Sequence, residues 1–577
     1  MIVSHEWLKQ FVPHNLSAQE VGDLLSRHTV TLDGVEAAGA DLSAFVVAQV
    51  VQAGRHPNSD HLWVTKVDDG SGTILDVVCG APNVVAGTKY PFARTGTKMP
   101  AGITIEKRKI RGETSNGMLC SARELGLGEE HDGILALNTD VAPGTPLLQV
   151  IQAGDYSLNL DVLPNRPDLL SHRGVAREIA AITGLVFLKT PPADYDADGM
   201  AASGLAEGAT EASAGGVTVT IEDTTSCPLY NAVVIRGVKV GESPAWLKQR
   251  LASIGVRSIS NVVDFTNYVL HGYGQPIHAF DLDKLAGSQI VVRATRDGEL
   301  ITTLDGVTRK IDKGTTAICD ADKPVALAGV MGGRDSEVTE STINVLIEIA
   351  SFDAKFVRKV RRATNLNTDA SYRFERGVDA NSIREIAALA FLLLPRVAGG
   401  TLDGWISVGK RPPQHAPVTV RPSRVSHLVG AEFSIGECIR FLEPLGCTWV
   451  AGDDETLVVT PPSWRTDLNL EVDFIEEIAR LKGFDNLPND LRATRPGSVP
   501  DHPLFVQGRR VRDTLVAAGL AETRPMPFTK VDGGPTLRVR NPLADDEPFL
   551  RQSLLETLAR RAEFNLTRMQ GNVRLFE

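Results

Sequence analysis

The chain has 577 residues and a formal charge of −11, with 60 Lys and Arg against 71 Asp and Glu. Hydrophobic residues make up 42% and charged residues 23%, a globular balance that excludes wholesale disorder, collagen and coiled coil. The length suits about three to five domains, the acidity excludes an overall basic footprint for nucleic acid, and no stretch approaches the roughly 18–20 apolar residues of a membrane span.

The N-terminus, MIVSHEWLKQF, has no basic start followed by an apolar block, so no secretory signal is expected. Between residues 45 and 150, short alternating runs (FVVAQVVQA, HLWVTKVDDG, TILDVVCG) end in turn signals, a pattern that predicts a small β-barrel. Residues 42–150 carry 10 Lys/Arg and 11 Asp/Glu, so this region is not basic. Its one basic run is Lys107, Arg108, Lys109 and Arg111, read either as an RNA contact or as a solvated strand edge. Residues 165–184 give a turn and an amphipathic helix. Residues 194–216 are rich in Ala, Gly, Ser and acids without Lys or Arg, which predicts a flexible linker. Strands dominate again from residue 217 (VTVTIED, NAVVIRGVKV, QIVVRAT), and residues 381–397 form a long apolar helix. KRPPQHAP at 410–417 reads as an extended connector, and a further break lies at 490–503. Helices are predicted over 471–482, 505–518 and 553–567. Cys79, Cys120, Cys227, Cys319, Cys438 and Cys447 make no C-x-x-C pair, so buried reduced thiols are expected rather than disulfides or zinc.

Three features invite chemistry in the middle of the chain. His278 follows a Gly-Gln-Pro turn, Glu348 lies in the apolar strand VLIEIASF, and Gly332-Gly333 permits close backbone approach. Taken singly, each has a plain structural reading: a hydrogen-bonded histidine, half of an ion pair with a nearby arginine, and a turn. Arg358, Lys359, Arg361, Arg362, Arg373 and Arg376 form a basic group that would hold phosphates or pair with acids. Further on, helical spacing places Asp473, Glu476 and Glu477 at i, i+3 and i+4 opposite an apolar side of Val472, Phe474, Ile475, Ile478 and Ala479, with Asp467 just upstream. Four converging carboxylates would suit Mg²⁺ or Ca²⁺; the alternative is a solvated acidic face at a helix N-terminus.

The run PSWRTD followed by EVDFIEEIARLKGFDNLP resembles a winged-helix-like domain of the β subunit of bacterial phenylalanyl-tRNA synthetases. HPNSDHLWVTKVDDG, VVCGAPNV and KIRGETSNGMLCSARELGLG resemble its OB-fold tRNA-binding domain. NVVDFTNYVLHGYGQPIHAFD, ALAGVMGG, IEIASFD and LNTDASYRFERGVD resemble its editing domain, and LRVRNPLADDEPFLRQSLLETLARRAEFN its inert synthetase-like module.

The resemblance implies a multidomain α+β chain. Its parts are an N-terminal α+β segment (1–41), an OB-type β-barrel (42–151), a return segment packing with the N-terminal part (152–193), the linker (194–216), a mixed α/β editing domain (217–408), a winged-helix-like domain (409–492), and an incomplete class II synthetase-like antiparallel sheet module (497–577). It implies that Asp467, Asp473, Glu476 and Glu477 share Mg²⁺ with a catalytic α subunit, which also binds ATP. It implies that Glu348 and Gly332 read a tyrosine hydroxyl, with His278, Thr266, Asn267, Thr368 and Ala370 lining the pocket, and that no residue of this chain catalyses aminoacylation. Tyrosine exceeds phenylalanine by one hydroxyl, which an apolar pocket rejects poorly, so a second site that rewards that hydroxyl is chemically needed.

The partners implied are the α subunit in an (αβ)₂ heterotetramer and tRNA(Phe), with no membrane, in the cytoplasm. The family continues beyond the point where this sequence stops, so a C-terminally truncated member is expected, with residues 500–577 poorly stable alone. A stand-alone editing deacylase and a non-enzymatic tRNA-binding scaffold are the alternative readings; the carboxylate cluster favours the β subunit, because a shared metal needs an α partner.

Overall fold

The computed structural model describes residues 1–38, 42–100, 102–127, 133–151, 155–189, 205–413, 415–453, 455–489, 499–530 and 537–577. They form two compact units, Met1–Pro488 and Asn489–Glu577, of mixed α and β structure.

The first unit opens with a three-stranded antiparallel sheet. Strand Asp155–Asp161 lies between Ile2–Ser4 and Thr31–Ala38, so the chain returns after residue 155 to complete what the first residues began. Helices His5–Leu8, Ala18–His28 and His172–Thr183 flank it, each entered through a serine cap, and Ser17 with Glu20 forms a full capping box. Between the two halves sits an all-antiparallel five-stranded sheet in the order Ile74–Cys79, Trp63–Asp68, Phe45–Arg55, Lys89–Ala93, Met118–Leu119. Strand alternation divides its apolar residues between two cores: Val46, Ala48 and Val50 go to one, Phe45 and Val47 to the other.

The centre of the unit is a pair of sheets. One has five strands, in the order Leu205–Glu207, Thr401–Gly409, Leu229–Arg236, Asn344–Ser351, His278–Asp281. The other has six, ordered Glu211–Ala214, Val217–Ile221, Gln289–Ala294, Thr316–Cys319, Pro324–Leu327, Met331–Gly332. The five-stranded sheet is buried on both faces. Val233, Ile235, Val345, Ile347, Ile349 and Trp405 face a core shared with helices Asn261–Tyr273 and Ile383–Ala398 and with Trp7, Phe11 and Leu158 of the N-terminal part. Tyr230, Ala232, Val234, Leu346, Ala350 and Ile406 face the opposite way, toward the six-stranded sheet. This explains why Asn344–Ser351 is a near-continuous apolar run rather than an alternating one.

Residues 205–216 correct the linker expectation for 194–216: Leu205–Glu207 pairs parallel to Thr401–Gly409, and Glu211–Ala214 pairs antiparallel to Val217–Ile221. The rest of that break, and residues 490–498 of the later one, lie outside the described residues. The unit ends in a three-stranded sheet (Val418–Val420, Leu457–Thr460, Thr448–Ala451) with helices Pro422–Val429, Ile435–Leu442 and Glu471–Lys482.

The second unit has helices Pro503–Ala517 and Leu554–Leu566. Its strands form two separate pairs among the described residues. Phe528–Thr529 with Phe549–Leu550 is antiparallel, but Ala521–Glu522 with Leu575–Phe576 is parallel, which corrects the expectation of one antiparallel sheet. Helix Pro503–Ala517 has no buried residue, and Leu504, Phe505, Val511 and Val516 are exposed.

Candidate functional site

Glu348 and His278 sit directly opposite each other on the antiparallel strands Asn344–Ser351 and His278–Asp281, so their side chains share a face of the sheet. That face looks toward the six-stranded sheet. Helix Asn261–Tyr273 stops at Gly274, whose left-handed φ of 81° lets the chain turn into the Gln-Pro step that delivers His278 to its strand. His278 thus occupies the edge strand of one sheet and Gly332 the edge strand of the other. The two edges meet there: a Cβ on Gly332 would lie 2.4 Å from His278 Cε1 and 2.5 Å from Nε2. Only glycine lets the imidazole lie against that backbone.

Glu348 is buried, and its partner is a phenol rather than a cation: Tyr230 Oη donates to Glu348 Oε2 at 3.0 Å. No arginine or lysine pairs with it among the described residues, so the ion-pair reading of Glu348 is not what the structure contains. Burial pushes its carboxyl up to about 8, against the opposing pull of the Tyr230 hydrogen bond. At neutral pH Glu348 is therefore largely a neutral carboxylic acid, able to donate and to accept. Burial lowers His278 to about 4, so its imidazole is neutral. Its ring meets Phe280 edge-on at 4.5 Å, and its buried Nε2 has no hydrogen-bond partner.

Thr368 caps helix Asp369–Phe374 and donates its hydroxyl to Val330 O at 2.7 Å, which ties the start of that helix, Ala370 included, to the turn before Gly332. Thr266 spends its hydroxyl on Val263 O within its own helix, and Asn267 is half-buried beside it. Neither is hydrogen-bonded to Glu348, His278 or Gly332 among the described residues.

The basic group is largely consumed. Glu375 takes Arg361 at 3.0 Å and Arg376 at 2.7 Å, and its backbone carbonyl accepts from Arg358. Arg373 is buried against Asp369 and Leu170 O. Lys359 and Arg362 remain exposed. Lys107, Arg108, Lys109 and Arg111 are all exposed on or beside the hairpin Arg108–Ile110/Glu113–Ser115, whose turn is tied to the 56–58 loop through Asn58 and Arg111.

The four carboxylates expected to converge on a metal do not do so. Arg465 binds Asp467 in a fork (2.9 and 2.8 Å) and Glu477 at 2.6 Å. Arg480 bridges Glu477 to Glu178 of the return segment, and Glu178 also takes Arg166 at 2.6 Å. Asp168 completes the chain through a fork with Arg166. Three arginines and four carboxylates thus join the helix Glu471–Lys482 to the helix His172–Thr183. Burial would raise the Glu178 carboxyl, but Arg166 and Arg480 beside it hold it down near 2. Burial would likewise raise Glu477, and Arg480 and Arg465 hold it well below the usual range. Asp473 caps its own helix by accepting from the backbone N–H groups of Asn469 and Leu470. Of the four, Glu476 alone is exposed.

No group of three or more His, Cys, Asp or Glu among the described residues is arranged to hold a metal ion. Within this chain two of the four already have arginine counter-ions, Asp467 with Arg465 and Glu477 with Arg465 and Arg480. The helical projection failed at Glu477 and Val472. Glu477 faces inward because two arginines, Arg465 and Arg480, await it there, while Val472 is 54% exposed.

Sequence reasoning also missed Tyr230 and the arginines. The register that sets Tyr230 diagonal to Glu348 is a long-range property. The Glu477/Arg480 spacing, i,i+3 on one helix, was readable as a local ion pair.

Four protein-family models match in chain order: a tRNA binding domain (45–146), a B3/4 domain (226–399), a tRNA synthetase B5 domain (418–484) and the phenylalanyl tRNA synthetase beta chain CLM domain (487–577). The phenylalanine–tRNA ligase beta subunit of Geobacter sulfurreducens is 41% identical over 592 residues, spanning 100% of this chain and 72% of that protein. The beta subunit of Salinibacter ruber is 39% identical over 607 residues, with the same coverage. Among solved structures, an N-terminal fragment of the phenylalanyl-tRNA synthetase beta subunit from Pyrococcus horikoshii matches 83% of this chain and 99% of its own at 14% identity. Its TM-score of 0.35 is too low to carry an argument. Identity at this level over the whole sequence, with all four domain models in register, means that the chain belongs to the phenylalanine–tRNA ligase beta-subunit family.

Proposed function

We propose that the chain acts as the β subunit of a phenylalanine–tRNA ligase. It supports ATP-dependent charging of tRNA(Phe) by an α subunit and removes tyrosine wrongly attached to that tRNA in the pocket at Glu348, His278 and Gly332. The observation that carries the editing assignment is a buried carboxyl with no counter-ion, held by a phenol and facing an imidazole at the meeting of two sheet edges. A neutral carboxylic acid at pH 7 suits a tyrosine hydroxyl, since both groups donate and accept. Phenylalanine in the same place would leave the buried acid unsatisfied, at a cost of about 1–3 kcal/mol.

Neutral His278 is suited to orienting a water toward the ester rather than to carrying charge, and we assign attack to that water with help from the terminal ribose hydroxyl of the tRNA. If His278→Ala leaves deacylation intact, the histidine is structural.

The proposal extends to assembly. An OB-type role for residues 42–151 in tRNA contact, a winged-helix-like role for 409–492, an (αβ)₂ heterotetramer and a cytoplasmic setting all follow from the family. No helix among the described residues is long and apolar enough to cross a membrane. Exposed Leu504, Phe505, Val511 and Val516 support a protein partner for the second unit. Magnesium belongs in this proposal with the charging chemistry of the α subunit. Of the four carboxylates Asp467, Asp473, Glu476 and Glu477, only Asp473 and Glu476 lack an arginine or lysine partner among the described residues.

The test is deacylation of Tyr-tRNA(Phe) by the purified chain with and without α. Activity that needs α supports the β-subunit reading; activity without α favours a self-sufficient deacylase. No activity in either arm refutes editing.

A further inference from the structure

We propose that Tyr230 is a positioning residue for tyrosine selection: its phenol holds one oxygen of Glu348 so that the other is presented to the substrate hydroxyl. The inference rests on the editing assignment above and deepens it.

Tyr230 is fully buried and sits on the strand Leu229–Arg236, in register with Ala350, two residues from Glu348 on the neighbouring strand. Diagonal neighbours on one face lie within reach of a long side chain. The position directly opposite Glu348 on the Tyr230 strand is Ala232, which adds only a methyl group and no polar atom. Among the described residues the carboxyl therefore has one hydrogen-bond partner, and that partner binds Oε2.

A carboxyl held at one oxygen cannot rotate freely. Its remaining hydrogen-bonding capacity is aimed. In the acid form, Oε2 accepts from Tyr230, which leaves the O–H on Oε1 to donate to a substrate phenol. In the ionised form, Oε1 accepts from that phenol instead. Two phenols, one from the protein and one from the substrate, then share one carboxyl. The other titratable groups around Glu348 are Cys227, His278 and Tyr230. Burial, reinforced by Glu348, raises Cys227 and Tyr230, and burial lowers His278, so all three are neutral near pH 7.

Phenylalanine cannot use the aimed oxygen, so the discrimination depends on its aim. Removing the Tyr230 hydroxyl while keeping the ring frees the carboxyl to turn its O–H away. It also removes a donor that favours the ionised form, so Glu348 ionises at higher pH in the variant.

The experiment measures deacylation of Tyr-tRNA(Phe) and of Phe-tRNA(Phe) by the full chain with its α subunit, from pH 6.5 to 9. Wild type, Tyr230→Phe and Glu348→Gln are compared after thermal melts confirm that each is folded. For Tyr230→Phe we expect kcat/KM on Tyr-tRNA(Phe) to fall about five- to tenfold, as for one lost hydrogen bond. The slow Phe-tRNA(Phe) rate should not move, and the pH midpoint of selectivity should shift upward. A merely structural role would lower both substrates together and leave the midpoint in place; that result overturns the proposal. If Glu348→Gln abolishes selectivity and Tyr230→Phe does not, Tyr230 alone is refuted. If Glu348→Gln also leaves selectivity intact, the editing assignment of Glu348 falls and the role of Tyr230 with it.

Discussion

Arg480 is the residue on which the buried network turns. It donates to both oxygens of Glu178 (2.6 and 3.1 Å), to Glu477 at 2.9 Å through Nε, and to the His28 carbonyl at 3.3 Å. Replacing it with methionine keeps most of the volume but takes one of two arginines from each of two buried carboxylates, leaving Glu178 with Arg166 and Glu477 with Arg465, which places the cost at the low end of the range for a broken buried pair. Removing one partner of a buried ion pair costs about 3–5 kcal/mol. Each 1.4 kcal/mol is a factor of about ten, so amide-exchange protection along the helix Glu471–Lys482 should fall by roughly two orders of magnitude at pH 7.5.

The pH dependence gives a second check on the same variant. In the wild type, Glu178 and Glu477 titrate below their usual range. Their contribution is present above pH 4.5 and is lost as the pH falls toward about 2. Without Arg480 their carboxyls titrate higher, so protonation relieves the variant first, and its deficit should shrink between pH 7.5 and pH 5. Chelators should leave protection in the wild type unchanged, because arginines rather than a metal hold Glu477. A loss under tenfold, or a chelator-sensitive helix, would refute this account.

Three further outcomes are expected. Gly332→Ala places a methyl group within 2.5 Å of the His278 ring; it should cost about 1–3 kcal/mol by thermal melt and reduce Tyr-tRNA(Phe) deacylation at least tenfold. Glu348 is raised from 4.5 to about 8, so its contribution to stability is full below pH 4.5 and drains away as the pH climbs through about 8. Urea melts of Glu348→Gln should therefore lose less stability than wild type between pH 6 and pH 9. The change Glu476→Gln should leave the thermal stability of the isolated chain within about 0.5 kcal/mol, as for an exposed group; a larger fall would show that this carboxylate is already engaged.

Period and punctuation carried most of the element-level reading. Helix Glu471–Lys482 starts and stops where its apolar spacing and Gly483 say it should, and the strands at 45, 63, 74, 217 and 289 follow alternating or β-branched runs. Glu348, His278 and Gly332 stood out because each breaks its local pattern, and the structure brings these three together. What was not legible is long-range. Glu477 looked solvent-facing on a helical projection because the projection cannot see Arg465, Arg166 or the return segment 300 residues away in sequence that buries it. Composition misled at 205–216, where small and acidic residues still form strands because neighbouring strands supply the missing hydrogen bonds.

The two-sided burial of the central five-stranded sheet bears on how this molecule can be cut. A piece spanning 217–408 would keep Glu348, His278 and Gly332, and the helices Asn261–Tyr273 and Ile383–Ala398 that cover the face built from Val233, Ile235, Val345, Ile347 and Trp405, but it would lay bare the part of that core closed by Phe11, Leu158 and Val175. It would also lose Trp7, which stacks on Tyr268 at 5.2 Å and on His172 at 4.0 Å. The selectivity pocket is therefore not a transplantable cassette. The sheet that carries it is backed by helix Asn261–Tyr273, and that helix is packed in turn against the first residues of the chain, so cutting them away exposes apolar surface one layer behind the pocket.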